Sequence, residues 1–186
     1  MDEGIKIIPP HGGYQKLKSY QMSEIVYDAT VKFCERFIDK RSRTVDQMVQ
    51  AARSGKQNIA EGSMASSTSK KTEIKLVSVA RASLEELLLD YQDFLRQRGF
   101  QLWGKDDSRV QEIRKIGVRS DRSYVSYRTY IEEGAEEVAA NTIICIVHQT
   151  NYLLDQQLRQ LEQQFLEEGG FSERLYNARQ DAKRKS

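Results

Sequence analysis

The residues best suited to nucleophilic or metal chemistry are two histidines, His11 and His148, and two cysteines, Cys34 and Cys145. Their settings argue against such chemistry. His11 lies in the segment Pro9-Pro-His-Gly-Gly13, and His148 follows an apolar run. No His-Glu-x-x-His, Cys-x-x-Cys or Glu-x-x-His pattern occurs, so neither zinc nor ferritin-like metal chemistry finds its ligands. Arg53-Ser-Gly-Lys56 lacks the Gly-x-x-x-x-Gly-Lys-Ser/Thr spacing of a phosphate loop and falls within a helical pattern. The cysteines sit in apolar helical segments and read as reduced, buried thiols of a cytoplasmic protein. Glu85-Glu86 and Glu132-Glu133 read as solvated faces, and Asn58 and Glu61 as residues that cap and tie a helix end. The expectation is therefore no catalytic residue, no metal, no cofactor and no enzyme.

A basic set remains. Arg41, Arg43, Arg53, Lys56, Lys70, Lys71, Lys75 and Arg81 flank the centre of the chain, interspersed with Asp46, Glu61 and Glu73. Lysine and arginine neutralise phosphates without reading sequence, which suits a shape-tolerant RNA or DNA binder. An ordinary solvated surface is the plainer alternative. Net charge is only +2, but it is unevenly placed. Residues 41–99 hold ten Lys/Arg against seven Asp/Glu, residues 132–170 one against eight, and residues 171–186 five against two. This alternation suggests separate charged faces, or subunits that attract head to side. The acidic 132–168 face could instead hold a basic protein partner.

The elements that must position these residues read as helices. With 186 residues, 30% charged and 39% hydrophobic, the chain resembles one ordinary globular domain. Its only prolines, Pro9 and Pro10, precede the periodic segments, so an all-α fold is expected. Residues 1–13 read as an extended arm. A first helix, about Tyr14 to Asp39, carries too many apolar residues for one stripe and should sit centrally or at a subunit contact. A second begins at Thr44, whose spacing to Gln47 is that of a capping box, and ends at Gly62. Its Ala51, Ala52, Ser54 and Gly55 make a small-residue face suited to close helix contact. A third runs from about Ser69 to Arg98, with Phe100, Leu102 and Trp103 closing the core end after it. A short helix, Ser108 to Ile116, lies in the 100–122 connection. Helical spacing from Ser123 to Glu168 should bend or break at Gly134. Gly169-Gly170 stops it, and residues 169–186 form a short suffix helix with a basic tail. The four main helices of residues 14–168 should pack as a bundle. No leader is recognised, and no apolar run approaches the roughly 20 residues that span a bilayer.

Residues 47–62, with Arg53, Asn58, Ile59, Ala60, Glu61 and Gly62, followed by Lys70-Lys-Thr-Glu-Ile-Lys-Leu76 and Ala80-Arg-Ala-Ser-Leu-Glu-Glu-Leu87, resemble a bacterial four-helix-bundle family. It is named after proteins encoded in intervening sequences of 23S ribosomal RNA genes. It is related to the accessory variability protein of diversity-generating retroelements. Pro9-Pro-His-Gly-Gly-Tyr14 and Glu167-Glu-Gly-Gly-Phe-Ser-Glu-Arg-Leu-Tyr176 resemble the subgroup that carries a suffix segment. The resemblance covers about residues 14–165. It implies an up-down four-helix bundle, often a ring-shaped homopentamer with basic surface, and in the retroelement branch binding of nucleic acid or reverse transcriptase. Together these readings give a non-enzymatic, self-assembling helical bundle in a nucleic-acid-linked accessory role, with a protein-interaction adaptor as the alternative.

Overall fold

A computed structural model describes residues 12–185. The expected arm therefore lies outside the described residues, His11 included, except for Gly12 and Gly13. Every regular element among the described residues is helical. A 3-10 turn, Tyr14–Lys16, leads into α1 (Lys18–Phe37), α2 (Arg43–Ala65) and α3 (Lys70–Gln97). After α4 (Ser108–Gly117) come a 3-10 turn at Tyr124–Tyr127 and a π-helical turn at Thr129–Glu133. α5 (Glu136–Glu168) and α6 (Phe171–Lys185) complete the chain. None of the described helices is long and apolar enough to cross a membrane.

Local chemistry sets the helix limits. Ser69 caps α3, its hydroxyl accepting from the Thr72 N–H at 3.1 Å. At the other end Gly99 takes φ +70°, and the Phe100 N–H bonds back to the Leu95 carbonyl at 2.9 Å, closing α3 with a Schellman turn. α2 departs from expectation at both ends. Ser42, not Thr44, is the cap, and its hydroxyl accepts from the Thr44 N–H. Gly62 does not stop the helix, which continues to Ala65, because Gly62 is the point where α2 lies against Glu73, Leu76 and Val77 of α3. Asn58 donates to the Ser54 carbonyl and hydroxyl within α2 rather than tying the turn, and Glu61 is exposed. The break at Gly134 is as expected. Its N–H reaches back to the Thr129 carbonyl, and Arg36 donates to the Ile131 and Gly134 carbonyls, fixing the joint to α1.

The core lies among α1, α2, α3 and α5. Met22, Val26 and Phe33 of α1 meet Met48 and Ile59 of α2, Leu84 and Tyr91 of α3, and Ile143 and Leu154 of α5, all fully buried. Phe33 packs edge-on against Tyr91 and Phe94, with ring centroids 4.9 and 4.8 Å apart. The Tyr91 hydroxyl, inside this apolar packing, donates to the Thr30 hydroxyl. Contacts of Gly55 with Leu84 and of Gly62 with Glu73 show α2 and α3 running in opposite directions. Lys70 with Gln164, Arg81 with Asp155 and Arg98 with Glu136 show the same for α3 and α5. The element buried on nearly all sides is α5, where residues 139–147 are continuously buried. α1 holds no such position. Its outer aromatics are half-buried, Tyr20 against Tyr14, Tyr27 under Lys56 and Phe37 under Arg36. Gly55 of the small-residue face of α2 is spent on Leu84 of α3, while Ala51 and Ser54 border a groove beside it. In the 100–122 connection Trp103 is buried, its backbone N–H bonded to Asn141 and its ring N–H to Glu137, whereas Leu102 is 47% exposed and caps nothing.

Candidate nucleic-acid interface

The eight basic residues divide by what each side chain touches. Arg81, on the side of α3 that faces α5, is bound to Glu85 at 2.8 Å and Asp155 at 2.9 Å. Its hydrogen bonds to Glu85 and then to Asp155 hold its pKa above the usual arginine range, against a smaller opposing effect of burial. Lys70 is bound to Glu73 at 3.0 Å and reaches Gln164 at 3.3 Å. Glu73 is a buried carboxylate, and this ammonium is its counter-charge. Lys56 lies 4.6 Å from the Tyr27 ring centre, joining α2 to α1. These three hold helices together.

The other five are exposed: Arg41 in the turn before α2, Arg43 and Arg53 on α2, and Lys71 and Lys75 on α3. Helical spacing sets Arg53 opposite the buried stripe Met48, Ala52, Ile59, and Lys71 and Lys75 opposite Val77, Ala80, Leu84. They do not form one patch. α2 and α3 are antiparallel, so Arg41 and Arg43 stand at the end of the hairpin where α3 finishes. Lys71 and Lys75 stand at the other end, about 30 Å away along the helices at 1.5 Å per residue.

Between these groups lies an acidic feature, of which the residue pattern marks only Glu86, as part of a solvated face. Glu86, Asp90 and Asp93 recur at i, i+4, i+7, one stripe of α3. With Ala51 and Ser54 of α2 and Ser83 and Leu89 of α3, Glu86 and Asp90 line a groove of about 570 Å³. Ser54 and Ser83 share a hydrogen bond of 2.9 Å across its floor. An adjoining depression of about 400 Å³ is lined by Asp39, Asp90 and Asp93, with Arg98 at its edge. Partial burial first, then repulsion by Asp93 and Glu86, raises the carboxyl of Asp90 above its usual range. The expected acidic face of 132–168 is neutralised in part, three of its eight carboxylates holding a cation among the described residues. Glu132 is bound by Tyr124 and Arg128, Glu136 by Arg98, and Asp155 by Arg81.

Burial pushes the Cys34 thiol up to about 12 and that of Cys145 to about 11, so both stay protonated and poorly nucleophilic at neutral pH. His148, its basicity lowered mainly by desolvation, lines a depression with Arg114 and Tyr152. Among the described residues no three His, Cys, Asp or Glu side chains gather as a metal site would require. The chain matches no family model, no curated protein and no solved structure.

Proposed function

We propose that this chain is a non-enzymatic, self-assembling scaffold of the cytoplasm, an up-down four-helix bundle of α1, α2, α3 and α5 extended by the α6 suffix, with an accessory role linked to nucleic acid. Kinship with the intervening-sequence family and its suffix subgroup belongs to the same proposal, as does the ring-shaped pentamer. The opposed directions of α2 against α3 and of α3 against α5 support the bundle. One observation carries the nucleic-acid link: Arg41, Arg43, Arg53, Lys71 and Lys75 keep their charges exposed along the outside of the α2–α3 hairpin. Cations spaced over some 30 Å suit contact with a phosphate backbone better than a pocket for one phosphate. Repetition around a ring would multiply them.

The test is fluorescence anisotropy with structured RNA and with duplex DNA at two salt concentrations. Binding should fall steeply with salt, by roughly 0.7–0.9 per phosphate contact on a log–log plot. Replacing the five exposed cations by glutamine should weaken both ligands about equally and leave the circular dichroism unchanged. Lys70 is kept, because its loss would strand buried Glu73. No binding at low micromolar protein and low salt removes the nucleic-acid role.

A second reading is an adaptor that holds a basic protein partner. The acidic stripe Glu86, Asp90, Asp93 favours it beside the 132–168 face, of whose eight carboxylates Glu132, Glu136 and Asp155 are spent on internal ion pairs.

A further inference from the structure

α6 keeps an apolar side open. Among those of its residues whose burial is described none is buried, and Leu175 and Tyr176 are 43% and 63% exposed. Fifteen residues is about the length below which an isolated helix is marginal in water, so α6 needs an apolar surface to lie on. Its sequence is built for one. Leu175, Ala178 and Ala182 recur at helical spacing, and Arg179 and Lys183 flank them on the same side, one and two turns beyond Leu175.

The surface of matching chemistry is the α2–α3 groove. It offers the exposed side chain of Leu89, a floor of small residues, and the carboxylates of Glu86, Asp90 and, beyond them, Asp93 and Asp39. Among the described residues the one cation bound to this stripe is Arg96, which pairs with Asp93; Arg98 at the far edge is turned to Glu136. On its own copy an α6 reaches at most the near end of this groove, since Ser83 lies about 20 Å and Glu86 about 24 Å beyond Lys70 at 1.5 Å per residue. Lys70 meets Gln164, so α5 ends just past the start of α3. Laid back along α3 from there, α6 would cover about 22 Å, while Asp90 lies about 30 Å beyond Lys70.

We propose that α6 of one copy seats in the α2–α3 groove of a second copy, Leu175 toward Leu89 and its arginine and lysine side toward Glu86, Asp90 and Asp93. This rests on the self-assembly reading above and assigns its contact. The joint is heterologous, the tail of one subunit on the side of the next, and such a contact closes into a ring or runs on as a filament. It places the self-contact on the groove side of the small-residue face of α2, at Ala51 and Ser54, rather than on α1.

The test is sedimentation equilibrium on the full chain and on two charge-reversed variants, Glu86→Lys/Asp90→Lys in the groove and Arg179→Glu/Lys183→Glu on α6. Glu86, Arg179 and Lys183 are exposed and Asp90 is half-buried, and circular dichroism checks the fold of each variant. Each variant alone should associate at least about tenfold more weakly than the parent, since like charges then face each other. An equimolar mixture of the two should recover association, because each copy then finds an opposite charge on the other. If the parent chain is a monomer at tens of micromolar, the self-assembly reading itself fails. If the parent assembles but neither variant weakens it, that reading stands and the α6 contact is overturned. Loss of RNA binding in the α6 variant with assembly intact likewise overturns it and makes α6 a nucleic-acid contact.

Discussion

A β-carbon at Gly55 would stand 2.7 Å from Cδ2 of Leu84 and 2.8 Å from its Cγ. Leu84 is fully buried, so it has little room to withdraw. α2 and α3 thus meet here at a distance that only glycine permits.

Gly55→Ala should therefore destabilise the fold. Overpacking typically costs about 1–3 kcal/mol, against which alanine recovers at most about 1 kcal/mol of helix propensity. Gly62 is the internal control. Its added β-carbon would meet neighbours at 3.4 to 3.5 Å, ordinary contact, and its backbone is helical. Gly62→Ala should stabilise by up to about 1 kcal/mol. Urea unfolding of both variants checks the opposite signs. A stabilised Gly55→Ala would mean that Leu84 yields more easily than its burial implies.

Gly134→Ala should be the most damaging of the glycine substitutions considered. The new carbon would lie 2.3 Å from the backbone carbonyl oxygen of Tyr130. Backbone cannot rotate aside as a side chain can, so the π turn or the start of α5 must move. The same joint supplies two carbonyls to Arg36 and is bound to α1 through them. A loss of about 3 kcal/mol or more is expected, read as a lowered urea midpoint, or as failure to accumulate folded protein. An unchanged midpoint would show that the joint can relax.

What could be read from residues in order was local. α3 was legible at both ends because Ser69 and Gly99 each send one unambiguous signal, and the break at Gly134 was legible for the same reason. α2 was not, because its signals conflict. Ser42 and Thr44 can both cap, and the spacing of Thr44 to Gln47 pointed to the wrong one. A glycine near a helix end means either a stop or a close approach, and Gly62 is the second. The pairings of the basic set were legible in part. Glu73 and Glu85 stand three and four residues after Lys70 and Arg81, the spacing of helical ion pairs. Asp155 and Gln164 are remote in sequence and come to Arg81 and Lys70 only through the packing of α3 on α5. The stripe Glu86, Asp90, Asp93 was present as a plain i, i+4, i+7 pattern, but its meaning came from the groove beside it.

The two thiols give a check on the core. Cys34 and Cys145 are buried, and burial holds them protonated, with values about 12 and 11. An aromatic disulfide reagent at mildly alkaline pH should leave both unreacted in the folded protein and titrate both after unfolding in guanidinium. Rapid reaction of either thiol in the folded state would mean that the helices around it open readily.

Asp90 makes the charge arrangement of the groove measurable in the chain itself. Desolvation, then Asp93, then Glu86 raise its carboxyl above the ordinary 3.8. The folded state thus holds this proton to higher pH than the unfolded state does. Protonated Asp90 is therefore favoured in the fold at low pH, and stability is lost as pH rises from 3.8 through the folded value. Above that window the charged carboxylate opposes folding. Asp90→Asn should raise the urea midpoint at neutral pH and leave it nearly unchanged at about pH 3, where the parent is also uncharged. Glu86→Gln should help less when added to Asp90→Asn than alone, because the two carboxylates repel and the second change then has less repulsion to remove. Dilute protein is needed, since an α6 seated on Asp90 would offset the same repulsion. At higher concentration the advantage of Asp90→Asn should shrink or reverse as the parent gains its cationic partner. An Asp90→Asn variant that is less stable than the parent in dilute solution at neutral pH would mean that Asp90 already has a cation of its own copy within reach, and that the groove is not open to another.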